Sequence, residues 1–182
     1  IKENKEGVAA HAQESTLREI ISTSMPTSNR KMRVFSDAHL ANNKSARHHN
    51  FKSRAEIFKV IKDNPMIDFQ ESRMDRTSQW KKRSEYMFSI SQIGVGFDCY
   101  RTWESLLLGN IVLLQSSPID SLFKNLPVVI IHDWSEITED NLRLWAQKFS
   151  DASSNPKYRE QLTSAYWIAQ IEAVKQSYLE QQ

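Results

Sequence analysis

Residues 86–136 read YMFSISQIGVGFDCYRTWESLLLGNIVLLQSSPIDSLFKNLPVVIIHDWSE, and this stretch decides the fold. An apolar run at 86–90 enters a loop containing Gly94-x-Gly96. The loop opens a helix that carries Arg101 and Glu104, and further apolar runs follow at 111–114 and 127–131. Strand, loop, helix and strand in that order make a βαβ unit. Its polar and charged residues fall at the carboxyl end of the first strand, where ligands bind in open α/β sheets. A small-molecule site, if the chain has one, is expected there.

Working outward, residues 32–35 and 66–69 read as two more short strands. Between them Ala55, Ile57, Phe58 and Ile61 have helical spacing over 54–61, and Asn64-Pro65 stops that helix. Residues 70–82 read as a charged loop running into a short helix. Helices are predicted over 97–108 and 138–149, the second with Thr138 as N-cap and Asn141 where a capping box would hold Glu. Pro118 near the first helical position predicts a helical turn over 117–123. The unalternating Val128-Val129-Ile130-Ile131 predicts a strand buried on both faces. Residues 158–179 predict one long amphipathic helix with Leu162, Tyr166, Ala169 and Ala173 on one stripe. Together these predict an α/β fold: a Rossmann-like, doubly wound parallel sheet of about five strands, with a long C-terminal helix. Residues 1–31 read as a polar N-terminal segment, with a short helix near 13–21 and a linker over 22–29, and residues 32–182 as the domain.

Composition narrows the function classes. The chain has 182 residues, 40% hydrophobic, with five Trp, enough for one good-sized core. A net charge of +2 gives no global signature of a nucleic-acid binder. The basic run Lys44, Arg47, His48, His49, Lys52 and Arg54 has only Phe51 interleaved, and it reads as a solvent loop. The single cysteine, Cys99, precludes an internal disulfide and reads as a structural thiol. The longest apolar stretch, 106–114, is too short to span a bilayer and contains Gly109 and Asn110, so no integral membrane segment is expected. No signal peptide is visible, and the start at Ile1 is compatible with a piece of a longer protein.

Several residues carry possible chemistry. Ser91, Gly94 and Gly96 lie in the loop after the central strand, where glycines let backbone approach a phosphate and the following helix aims N–H groups at the anion. There is no third glycine, so this is not the dinucleotide fingerprint, and the same glycines would serve a tight turn. Arg101 and Glu104, three apart, share a helix face. Arg101 could fork onto a phosphate and Glu104 could accept from a ribose diol; alternatively the two pair with each other on the surface. Among Arg73, Arg76, Lys81, Lys82 and Arg83, Arg76 is the candidate to fold over donor phosphates, against a solvated helix face for the whole group. Asp37 and His39 follow the first strand, where His39 is the one candidate for a catalytic base and helix capping is the other reading. The catalytic residues are otherwise unknown. Asn43-Lys44-Ser45 matches a glycosylation sequon by pattern alone. No metal site is expected: His48 and His49 lack ligand-spaced partners and there is no Asp-x-Asp pair.

The run GVGFDCYRTWESLLLGNI, at 94–111, resembles the carboxyl-terminal signature of exostosin-like glycosyltransferases. That signature is a Gly-containing loop, an Arg, an acid three positions on, and a small-residue–Gly–x–Ile–Pro turn into the next strand. SPIDSLFKNLPVVI and DWSEI, at 117–130 and 133–137, extend the likeness, which covers roughly residues 84–146. The resemblance implies the nucleotide-sugar-binding half of a two-domain GT-B glycosyltransferase. It places Arg101 near the donor diphosphate, Glu104 on the ribose, and Gly94 and Gly96 beneath the diphosphate. It further implies a UDP-linked sugar donor, a glycan or other hydroxyl acceptor, no metal cofactor, and a Golgi lumen or cytoplasmic setting according to source. Two departures stand out. Val112 replaces the family's proline, and the amino-terminal half that carries the acceptor site is absent or reduced. The other reading is therefore a non-catalytic α/β binding or interaction module of the same fold.

Overall fold

The computed structural model describes residues 10–37, 51–94 and 96–180. Five strands, β1 (Lys31–Ser36), β2 (Ile67–Phe69), β3 (Tyr86–Ser91), β4 (Ile111–Gln115) and β5 (Val128–Ile131), form one sheet in the order β2-β1-β3-β4-β5. Every neighbouring pair is parallel, with Val34 opposite both Ile67 and Phe88, Phe88 opposite Ile111, and Val112 opposite Val128. The helices are α1 (Ala10–Thr23), α2 (Arg54–Ile61), α3 (Arg76–Ser84), α4 (Tyr100–Leu107), α5 (Glu139–Lys148), α6 (Pro156–Gln161) and α7 (Ser164–Leu179). This is the expected Rossmann-like α/β architecture.

Alternation along β4 shows how the sheet is covered. Ile111 and Leu113 join the core cluster built with Ile57 and Ile61 of α2 and Leu142 of α5. Val112 and Leu114 face the other way, onto Leu106 of α4 and Phe123. Both faces of a parallel sheet are thus dry, as its crossovers require. Local signals start the helices where they stand. Ser53 and Glu56 close a capping box on α2, the Asp75 side chain accepts from Ser78 N–H at 3.0 Å on α3, and Thr138 caps α5. Asn141 uses its amide instead to donate to the Glu136 carbonyl at 2.8 Å.

Four details differ from the sequence expectation. The segment read as polar and linker-like contributes core: Leu17 and Ile20 of α1 pack with Trp80 and Leu108, and Thr27 is fully buried, donating to the Gly109 carbonyl at 2.6 Å. The helix expected over 97–108 begins at Tyr100, so Phe97 lies in the loop. β5 is the sheet edge, so Val129 and Ile130 are only half-buried, each packed on the cluster at its own face. The long C-terminal helix is broken at 162–163. Thr163 caps a new start by accepting from Tyr166 N–H at 3.2 Å, and no residue of α7 is buried. Among the described residues no helix is long and apolar enough to cross a membrane.

Val112 also explains the departure at the β4 entry. Its N–H donates to the Pro127 carbonyl at 2.9 Å, a ladder bond that a proline there would lack.

Candidate functional site

Strand order reverses between β1 and β3: the chain leaves β1 toward β2, and leaves β3 toward β4 and β5 on the other side. Their carboxyl ends therefore part to form the crevice where α/β sheets bind ligands. The residues that end up there come from five elements.

β1 ends in the buried Asp37. Arg101, in the first turn of α4, forms an ion pair with Asp37, its Nε standing 2.8 Å from Oδ1. Arg83, in the last turn of α3, donates from Nη2 to Asp37 Oδ2. Its other terminal nitrogen stands 3.5 Å from Glu104 Oε2, and Arg76 Nη1 stands 3.3 Å from Glu104 Oε1. Arg76 and Arg83 are two turns apart on α3, so both reach the same side. The Arg76 guanidinium also lies over the rings of Tyr100 and Trp80, at 5.4 and 5.8 Å. Arg54, opening α2, donates from Nε to the Ile93 carbonyl at 3.3 Å and has no carboxylate contact.

Burial pushes the Asp37 pKa upward, but the fields of Arg83 and Arg101 and the hydrogen bond from Arg83 outweigh it, and the carboxyl titrates below its ordinary value. Arg101 is the mirror case. Burial pulls its pKa down, Asp37 pulls it up, and the net shift is upward. Arg54 is lowered, first by burial and then by Arg101. The cluster holds four arginines (54, 76, 83, 101) and two acids (37, 104), hence two positive charges in excess. Unspent donors point the same way. Arg101 Nη1 is buried without a hydrogen-bond partner, and so is the Gln92 side-chain nitrogen. An arrangement of fixed donors with surplus positive charge suits an anionic ligand. Asp37, locked as an anion between two guanidiniums, is not a proton donor near neutral pH.

The loop fits beneath this cluster. The Gly94 N–H donates to the Gly96 carbonyl at 3.2 Å. A Cβ on Gly94 would meet Arg54 Nη2 at 3.5 Å and Cys99 Sγ at 3.8 Å, ordinary contacts, and Gly94 is not at positive φ. Glycine there is thus required by neither the turn nor the protein's own packing. Ser91 Oγ is buried against Thr102 Oγ1 at 2.8 Å, which ties the end of β3 to the first turn of α4. Cys99 is the N-cap of α4 and makes no side-chain hydrogen bond to it.

Placement of the expected residues is mixed. Arg101, Glu104, Gly94 and Ser91 converge on the β1/β3 crevice, and Arg76 joins them from α3, engaged with Glu104 rather than extended over solvent. Arg101 and Glu104 are not each other's hydrogen-bond partners; Asp37 and Arg83 stand between them. Arg83, read as part of a solvated face, is fully buried, because α3 turns that side onto β1 and α4. Arg54, read as part of a solvent loop, opens a helix and reaches into the crevice. Gln92 drew no attention in the sequence, where a lone glutamine after a strand carries no signal. His39, His48, His49 and the 43–45 sequon lie outside the described residues. Among the described residues no three His, Cys, Asp or Glu side chains gather as a metal site.

Compared with known proteins, the chain matches no family model and no curated protein.

Proposed function

We propose that the chain is a nucleotide-sugar-binding α/β domain of the exostosin-like glycosyltransferase type, binding a UDP-linked donor in the β1/β3 crevice. The observation that carries this reading is the surplus of arginine over acid there, with the buried Arg101 Nη1 and the Gln92 amide nitrogen unspent. In the reaction an acceptor hydroxyl attacks the anomeric carbon, the bond from that carbon to the diphosphate oxygen breaks, the electron pair leaves with the diphosphate, and the hydroxyl proton passes to water. Arg101, Arg54 and the loop N–H groups stabilise that charge as it grows; being already fixed, they need little reorganisation. The Arg76 and Arg83 contacts on Glu104 are long, so each carboxylate oxygen keeps a lone pair for a ribose hydroxyl.

The test is calorimetric titration of the chain with UDP and GDP, with and without manganese, alongside Glu104→Gln. Saturable UDP binding that weakens by about 1.5–3 kcal/mol in the variant supports the assignment, the range expected for a hydrogen bond to a charged group. Unchanged affinity would sink the ribose role of Glu104. A second reading, a binding module that recognises an anionic glycan or nucleotide without catalysis, is favoured by one feature. Every acid at the described crevice is already held by arginine, so none is free as a base.

A further inference from the structure

At the amino end of the strands, opposite the crevice, a third arginine is buried, this one without an acid contact among the described residues. Arg30 precedes β1 and is only 6% exposed. Its Nε donates to the Met25 carbonyl at 2.8 Å, and its Nη1 has no hydrogen-bond partner. No carboxylate contacts it among the described residues, and burial pulls its pKa down to about 10. A guanidinium withdrawn from water without a counter-charge is costly unless something else supplies one.

The surroundings describe what that would be. Arg30 borders a cavity of about 180 Å³ that also contains Arg159 and has no acidic side chain in its wall. Arg159 donates from Nε and Nη2 to the Ser153 carbonyl, at 3.1 and 2.7 Å. That pair of bonds fixes its plane and leaves Nη1 without a protein partner. Ser153 Oγ accepts from Thr27 N–H at 2.9 Å, so its own proton remains to be donated. Gly109 forms the floor: a Cβ there would lie 3.3 Å from Arg30 Nη2 and 2.7 Å from Ser153 Cβ. The groups left open in this cavity are therefore donors.

The cavity adjoins a larger one of about 810 Å³, with Ile21, Leu107 and Arg159 in both walls. The larger space is bordered by Leu17, Leu106 and Leu162, and its one acid, Glu14, is neutralised by Arg18 at 2.8 Å. Leu107 is exposed at the junction. The wall of the larger space also holds Ser22, Thr163 and Ser164, but Leu17, Ile21, Leu106, Leu107 and Leu162 form an apolar strip in it. A cationic pocket opening onto such a strip is complementary to a molecule with one anionic end and one hydrocarbon end.

We propose that this amino-edge cavity binds a small amphipathic carboxylate, its carboxylate between Arg30 and Arg159 and its alkyl tail along Ile21, Leu107 and Leu162. The site shares no residue with the β1/β3 crevice, and it stands or falls independently of the nucleotide assignment. The experiment is titration of the whole chain with octanoate, acetate, octylamine and inorganic phosphate. Octanoate is expected to saturate one site at least tenfold more tightly than acetate or phosphate, and octylamine is expected not to bind. Arg159→Gln, an exposed position, should weaken octanoate at least tenfold while leaving the melting temperature unchanged. Leu107→Glu, which sets a like charge at the junction, should do the same. Arg30→Met should abolish binding, but since it touches the turn before β1 the two exposed variants decide the matter if it fails to fold. Octylamine binding as tightly as octanoate, phosphate matching octanoate, or an unchanged octanoate affinity in Arg159→Gln would each overturn the proposal.

Discussion

Asp37→Asn isolates the charge on which the crevice is built. The side chain is almost wholly buried, it accepts from Arg83 and is ion-paired with Arg101, and the other acid of the cluster, Glu104, is already shared by Arg83 and Arg76. Asparagine keeps the shape and one acceptor oxygen but leaves two buried guanidiniums with no full counter-charge. Removing one partner of a buried ion pair costs about 3–5 kcal/mol. For a domain of this size each kcal/mol moves the melting temperature by about 2–4 °C, so a fall of about 6–20 °C is expected at pH 7. Thermal melts followed by circular dichroism would read it. The pH dependence adds a second check. Because the folded pKa of Asp37 lies below its ordinary value of 3.8, its contribution is fully present above that value and lost as pH falls through the folded pKa. The wild-type protein should therefore lose this increment only below about pH 4, the ordinary aspartate range, and the variant should lack that part of the acid limb. Adding Arg101→Met to Asp37→Asn should restore part of the loss, since it removes one of the stranded charges. A variant melting within about 0.5 kcal/mol of wild type, the range of ordinary surface changes, would show that the cluster is solvated and the argument from buried charge wrong.

Two further outcomes test the packing. Gly109 ends α4 at φ 81°, and a Cβ there would stand 2.7 Å from Ser153 Cβ, so Gly109→Ala should destabilise by more than the roughly 1–2 kcal/mol of the left-handed conformation alone, measurable by urea unfolding. Ile171 of α7 is 65% exposed, so Ile171→Lys should change stability by less than about 0.5 kcal/mol; a larger loss would mean that α7 is covered in solution.

The fold was legible because its decisive signals are local and redundant. Runs such as Val112-Leu113-Leu114 have too few polar positions for a surface strand, and the helices between them are long enough only for parallel crossovers. What failed to read was set by tertiary context. β5 carries the most strand-like run in the chain yet sits at the edge, because position in the sheet is fixed by what pairs with β4 and not by composition. The α6–α7 break hangs on one threonine hydroxyl accepting from Tyr166 N–H, a cap the surrounding helical periodicity concealed. Residues 22–29 look like a linker because Ser, Thr and Pro are turn-formers wherever they occur; only the Gly109 carbonyl, more than eighty residues away, shows that Thr27 belongs inside.

The site was legible by position and opaque in its wiring, and the difference has a physical cause. Helical spacing places Arg101 and Glu104 on one face, and at three residues apart a surface ion pair is the economical reading. Burial changes which pairing wins. In water the two side chains could swing together at little cost and little gain. In the crevice each charge must be matched where it lies, and the groups that match them, Asp37 and Arg83, come from β1 and α3. Arg83 had looked like one of several cations on a solvated helix. Arg76 reaches the crevice through Glu104, whereas Lys82, with the same charge, pairs with Glu85 outside it; only the turn of α3 carrying Arg83 faces Asp37. A sequence lists charges without saying which are desolvated, and desolvation decides here. Four arginines gather against two acids in the described crevice, two more than a one-to-one match requires. The surplus is what an anion entering between β1 and β3 would neutralise.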